Sequence, residues 1–180
     1  MDKSKATHAG DTRVAGVKSG MVATVSGDLL KSDCNILIHQ CNCFKAMGGG
    51  IAKQIKKRYP EAYEADKSDE RKPTFKLGHY TYAYIEREER LIFNLYGQFK
   101  YAEFAPAYMK TIYPAFAQGL SEILTDVSEI AERNGINGNI KIGMPFGIGC
   151  GLGKGEWGEI QSIIERTSAL HYKDIFLYKL

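Results

Sequence analysis

The 180-residue chain is short of most features that would assign it to a class at a glance. It has four cysteines, Cys34, Cys41, Cys43 and Cys150, and their spacing gives no disulfide framework. That pattern points to a reducing compartment, and the cytoplasm is the expected location. His39 and Cys41-x-Cys43 lack zinc-finger spacing, and no partner Cys-x-x-Cys follows, so the cysteines are expected to be structural thiols and no metal is expected. No apolar run approaches a membrane span, and the N-terminus has no apolar signal-peptide core, so no membrane partner is expected. The net charge of +3 is too mild to argue for nucleic acid. It suits a small anionic ligand. A length of 180 residues with 44% hydrophobic and 25% charged content fits one domain with a proper core.

Glycine is abundant, and its placement is informative. In PFGIGCGLGKGEW, Pro145 to Trp157, glycine occupies every second position from Gly147 to Gly155. Such a run cannot be an ordinary helix or strand. Between the apolar run Ile140 to Met144 and an amphipathic helix from about Gly155 to Leu170, it would present bare backbone N–H groups to an anion. Two nucleotide fingerprints fail here. GKGEWG satisfies G-x-G-x-x-G but lies too near the C-terminus for a dinucleotide fold, and Lys154 is followed by Gly155, which rules out a Walker A loop.

Residues 1 to 20 read as a polar tail, and residues 21 to 180 as the folded unit. Met21 to Ser26 and Asn35 to His39 read as strands, the second too short and too β-branched for a helix. The loop QCNCFKAMGGG ends in Gly48, Gly49 and Gly50. Ile51 to Tyr59 reads as a helix with Ile51, Ala52, Ile55 and Tyr59 on one face. Lys53, Lys56, Lys57 and Arg58 lie largely on the other, as a solvated face rather than a nucleic-acid site. Pro60 restarts a helical stretch to about Lys67. Leu77 to Ile85 and Arg90 to Leu95 form an expected hairpin through Glu86 to Glu89. A helical pattern from about Pro106 to Asn134 is kinked or divided by Pro114 and capped by Gly135. A last strand spans Asp174 to Tyr178. Strands alternating with helices predict an α/β sheet covered on both faces, with its ligand beyond the carboxyl ends of the strands.

GDLL at Gly27 to Leu30, NILIHQCNCFKAMGGGIA and the glycine-rich stretch, in this order and spacing, resemble the macrodomain family, which binds ADP-ribose. The resemblance covers residues 21 to 180 and implies a three-layer α/β/α fold with a central mixed sheet. It is nearest to two branches, the ADP-ribose 1″-phosphate phosphatases and the terminal ADP-ribose protein glycohydrolases. It implies that Asp28 accepts from the adenine amino group beside the backbone N–H of Leu29; a turn or N-cap role is the alternative. It implies that Asn42 binds the distal ribose, the alternative being an Asx turn. Gly48, Gly49, Gly50 and Ile51 would face the diphosphate and distal ribose, with Gly147, Ile148, Gly149, Cys150, Gly151 and Leu152 on the opposite side. Tyr178 would stack on adenine or simply fill the core.

The glycohydrolases of the similar branch use a lysine and an aspartate where this chain has Gln98 and Gly153. A glutamine cannot form the amine adduct and a glycine supplies no acid or base, which argues against that mechanism. His39, with an ordinary pKa near 6.5, is the expected general acid or base of a phosphatase, with Asn42 positioning the substrate; a structural histidine is the competing reading. The expected ligands are ADP-ribose or its 1″-phosphate, with ADP-ribosylated macromolecules as further candidates and no cofactor. Competing functions are a non-catalytic ADP-ribose module and an ADP-ribosyl hydrolase acting on modified macromolecules.

Overall fold

The computed structural model describes residues 20–100 and 106–180, and residues 1–19 of the expected tail lie outside them. Six strands are β1 (Val22–Ser26), β2 (Ile36–Asn42), β3 (Tyr80–Ile85), β4 (Arg90–Gln98), β5 (Ile142–Pro145) and β6 (Ile175–Lys179). They form one sheet in the order β1-β6-β5-β2-β4-β3. All neighbours are parallel except β3, which pairs antiparallel with β4 at one edge. The mixed sheet follows from the connections. The hairpin needs only a short turn, whereas each parallel step needs a crossover, which here carries a helix.

The helices are α1 (Gly50–Arg58), α2 (Pro60–Ser68), α3 (Pro73–Lys76), α4 (Pro106–Arg133) and α5 (Trp157–His171). Phe116, Leu120, Ile123 and Leu124 of α4 and Ile160 and Ile164 of α5 pack with Ile36, Ile38, Leu91 and Phe93 of the sheet. On the opposite face, Ile55 of α1 and Ala62 of α2 pack with Leu37, Ala83, Ile85 and Ile92. The two clusters make the expected three-layer α/β/α arrangement. Among the described residues no helix is long and apolar enough to cross a membrane.

Three local outcomes differ from the sequence reading. Strand β2 continues through Gln40, Cys41 and Asn42, which were expected in a loop. Helix α4 is continuous through Pro114, so the proline does not divide it. Ile112, Ala115 and Phe116 are buried on either side of the proline, and this packing offsets the lost hydrogen bond and ring clash, worth ~3 kcal/mol. The short helix α3 was not anticipated, four residues being too few for a periodic signal. Gly135 ends α4 as expected: its N–H donates to Glu132 O and the next, from Ile136, to Ala131 O.

Candidate functional site

Parallel strands β2 and β5 are neighbours, so the loops leaving their carboxyl ends rise side by side. The β2–α1 loop brings Gly48, Gly49 and Gly50; the β5–α5 loop brings Gly147 to Gly153. Between them lies a cavity of about 650 Å³. The loops touch across it, since a Cβ on Gly49 would stand 2.7 Å from Leu152 Cδ1. Gly49 caps α1 without any side-chain hydrogen bond, so the first N–H groups of the helix remain available to an anion at its positive end.

The glycine-rich loop is a series of tight turns. Ile148 N donates to Pro145 O at 3.1 Å, Cys150 N to Gly147 O at 3.0 Å and Gly155 N to Gly149 O at 2.9 Å. Gly147 and Gly149 have φ of +73° and +79°, a region costly for other residues. Ile148 points down into the core and anchors the loop. Phe146 packs against Trp157 at the start of α5, with ring centroids 4.5 Å apart. Gly153 is required by close approach, because a Cβ there would lie 2.5 Å from Gly149 O.

The floor is set by a bulge. On β2 the register advances from Gln40 to Asn42, while on β4 it advances from Leu95 to Gln98. The extra residue on β4 turns Gln98 toward the same face as Gln40 and Asn42. Gln40 Nε2 then donates to Gln98 Oε1 at 3.1 Å, and Gln98 Nε2 donates to Lys100 O at 2.8 Å. Gly97, within the bulge, has no room for a side chain: a Cβ would meet the Phe116 ring at 2.7 Å.

The expected site residues separate into three groups. Asn42, Gly48, Gly49, Gly50, Ile51, Gly147, Ile148, Gly149, Gly151 and Leu152 all line the cavity. Asn42 does so while tied to its own loop, accepting from Phe44 N at 2.8 Å and donating to Ala46 O at 2.9 Å, the Asx-turn alternative. Cys150 lies in the same loop but turns back, its thiol donating to Ile148 O at 3.6 Å. At the flank, Asp28 and Leu29 follow the end of β1, and Tyr178 lies within β6, paired with Val25. Asp28 caps a short 3-10 turn by accepting from Leu30 N at 2.9 Å, and Leu29 is buried. Tyr178 packs against the core cluster that contains Leu29, Leu30 and Cys34, and its oxygen accepts from the Cys34 thiol at 3.6 Å. Phe146, whose N–H donates to Tyr178 O at 2.8 Å, joins this flank to the cavity.

His39 is the correction. Alternation along β2 turns it away from Gln40 and Asn42, to the face covered by α2. It is completely buried, its Nε2 2.8 Å from Asn94 Oδ1. Burial lowers its pKa to about 4, so the ring is neutral near pH 7 and does not line the cavity. The expected general acid or base is a structural histidine. It begins a buried polar chain: Asn94 Nδ2 donates to Thr81 Oγ1, Thr81 meets Tyr96 OH at 2.9 Å, and Tyr96 OH donates to Asp66 Oδ1 at 2.8 Å. Asp66 pairs with Lys76 at 2.7 Å, and both side chains are fully buried.

Among the described residues no carboxylate, imidazole or ammonium group lines the cavity. The one titratable lining residue, Cys41, has its thiol pushed well above the ordinary range by burial, and burial pushes Cys43 up to about 12. Neither is a thiolate nucleophile at neutral pH. No group of His, Cys, Asp and Glu among the described residues could hold a metal ion. Gln40, Ala46, Ala52, Pro145 and Phe146 also line the cavity, and none of them was an expected site residue. For Gln40 a signal existed. The alternation Ile36, Ile38 continues to Gln40 and Asn42, so the strand reading could have run on.

No protein-family model matches the chain. An uncharacterized 17.5 kDa protein of Enterobacteria phage T4 is 34% identical over 155 residues, covering 83% of this chain and 91% of that protein. Among solved structures, the macrodomain of Mycobacterium tuberculosis DarG aligns with a TM-score of 0.61 and 26% identity, covering 89% of this chain and 99% of that one. The chain has the macrodomain fold. Thermosipho africanus DarTG, solved in complex with ADP-ribose, shares the fold with a TM-score of 0.64 and 19% identity, over 91% of this macrodomain and 43% of that chain. Two curated relatives match only short stretches. The Aspergillus oryzae ADP-ribose 1″-phosphate phosphatase is 49% identical over 45 residues, 24% of this chain and 22% of the relative. The DNA ADP-ribosyl glycohydrolase of Mycobacterium tuberculosis is 49% identical over 45 residues, 25% of this chain and 13% of the relative.

Proposed function

We propose that this macrodomain binds ADP-ribose in the cavity between the β2–α1 and β5–α5 loops. The observation that carries the reading is the meeting of two glycine loops around a cavity into which the uncapped N-terminus of α1 opens. Unpaired N–H groups and a helix dipole suit a diphosphate, which brings acceptors and negative charge. The wall opposite is apolar, with Phe146, Ile148 and Leu152. The DarTG complex with ADP-ribose supports the choice of ligand. Asp28, Leu29 and Tyr178 stand at the flank as the adenine end of the site, and Asn42 on the cavity wall at the distal ribose. The four free cysteines suit a reducing compartment such as the cytoplasm. Calorimetry with ADP-ribose tests the reading: saturable binding is expected, and its absence removes the proposal.

A second reading is hydrolysis of ADP-ribose 1″-phosphate to ADP-ribose and phosphate, favoured by the phosphatase name of the Aspergillus relative. In this reading water attacks phosphorus and the ribosyl oxygen leaves. His39 has no part in it, and Asn42 acts on the bound substrate from the cavity wall. Phosphate release by the wild type tests it, with equal rates expected for His39→Ala per folded molecule. A protein that binds ADP-ribose and releases no phosphate is a binding module. Release of ADP-ribose from a modified protein or nucleic acid would instead assign the activity named for the mycobacterial relative.

A further inference from the structure

The amide of Gln40 has a hydrogen-bond acceptor that its surroundings leave open. Its orientation is fixed from one end of a short chain. The carbonyl of Lys100 can only accept, so the NH₂ of Gln98 faces it at 2.8 Å. Gln98 Oε1 therefore faces Gln40, whose Nε2 donates to it at 3.1 Å. Gln40 Oε1 is left pointing at the underside of the glycine-rich loop, buried, with no protein donor in reach among the described residues.

Three glycines leave space for this amide. A Cβ would come within 2.9 Å of Oε1 at Gly97, within 3.0 Å of it at Gly149, and within 2.9 Å of Nε2 at Gly153. A buried acceptor without a donor is a standing cost, and a ligand that supplies the donor recovers it. A diphosphate cannot, because its oxygens only accept and carry negative charge. A ribose hydroxyl can. Asn42, the other amide on this face of β2, already donates and accepts within its own loop.

We infer that Gln40 is a specificity-determining residue whose Oε1 accepts a hydrogen bond from a hydroxyl of the distal ribose. The cavity thereby distinguishes a ligand that carries a second ribose from one that ends at the diphosphate. The inference rests on the ADP-ribose reading above. Oε1 lies beneath Gly149, and the hydroxyl reaches it when the backbone at that glycine lifts from the amide while Ile148 stays anchored in the core.

The test is calorimetry on the wild type and on Gln40→Met, which keeps the length of the side chain and removes the amide. The ligands are ADP-ribose, analogues lacking single hydroxyls of the distal ribose, and ADP. One analogue should bind the wild type about tenfold more weakly than ADP-ribose, the worth of one hydrogen bond, and that penalty should vanish in Gln40→Met. ADP should bind both proteins equally. If Gln40→Met weakens ADP as much as ADP-ribose, the residue only supports the floor and the inference is overturned. Equal binding of every analogue to the wild type overturns it as well, and this comparison stands even if the variant does not fold. Failure of the wild type to bind ADP-ribose at all is a different result. It removes the ADP-ribose reading, and this inference with it.

Discussion

The two faces of β2 solve opposite problems with neighbouring residues. On one face Gln40 and Asn42 meet a cavity walled by glycine backbone and apolar side chains, without a lining carboxylate, imidazole or ammonium group among the described residues. On the other, His39 enters a hydrogen-bonded chain of Asn94, Thr81, Tyr96, Asp66 and Lys76, in which His39, Tyr96, Asp66 and Lys76 are fully buried. The ionisable groups of this chain hold the fold together, while the cavity face presents neutral amides and N–H groups. A histidine beside a ligand-binding strand end is therefore no guide to catalysis until its side of the sheet is known.

The comparison can be broken first at the buried ion pair. Lys76→Met removes the cation paired with Asp66, leaving it only the Tyr96 hydroxyl as a side-chain donor, and should cost about 3–5 kcal/mol in denaturant unfolding. ADP-ribose affinity of the folded fraction should be unchanged. A loss confined to binding would show that the two faces are not separate.

His39 gives a second test, by pH. In the unfolded chain the imidazole takes a proton as pH falls below about 6.5, whereas burial delays this in the folded protein to about pH 4. The unfolded state therefore binds more protons in that window, and stability falls on acidification by up to ~3 kcal/mol and returns as pH rises. His39→Phe should flatten that part of the stability profile. Activity that follows the same titration would return His39 to the chemistry.

On the ligand face, Gly149→Val introduces a side chain at φ +79° against Gln40 and should weaken ADP-ribose at least about hundredfold (~2.7 kcal/mol) with little change in circular dichroism. Retained affinity would mean that the loop does not hold the diphosphate. The smallest effect belongs to Asn42→Ala. It removes the acceptor for Phe44 N–H at the rim and should lower stability by only ~1 kcal/mol, with the larger change in ADP-ribose affinity if Asn42 also touches the ligand.

Much of the fold was legible because hydrophobic periodicity is a local signal. The strands at Val22–Ser26 and Ile175–Lys179, the helix from Gly50, and the hairpin of β3 and β4 lie within a few residues of their expected places. Of the site, the glycine loops and Asn42 were legible, since bare backbone at a strand end is written directly in composition. His39 was misread because a five-residue strand does not say which of its faces a ligand will meet. The carboxyl end of β2 escaped notice because Gln40, Cys41 and Asn42 are poor strand formers, held in the sheet by β4 alongside.

By itself the sequence determined the parallel α/β alternation, the two glycine loops after β2 and β5, and the absence of a lysine and an aspartate at positions 98 and 153. Each is a property of neighbouring residues or of order along the chain. Tertiary structure alone decided that β2 and β5 stand side by side, so that those loops enclose one cavity. It also decided that a bulge in β4 turns Gln98 onto Gln40, and that α2 closes over His39. Those outcomes depend on strand order, register and the pleat, which bring together residues from distant parts of the chain.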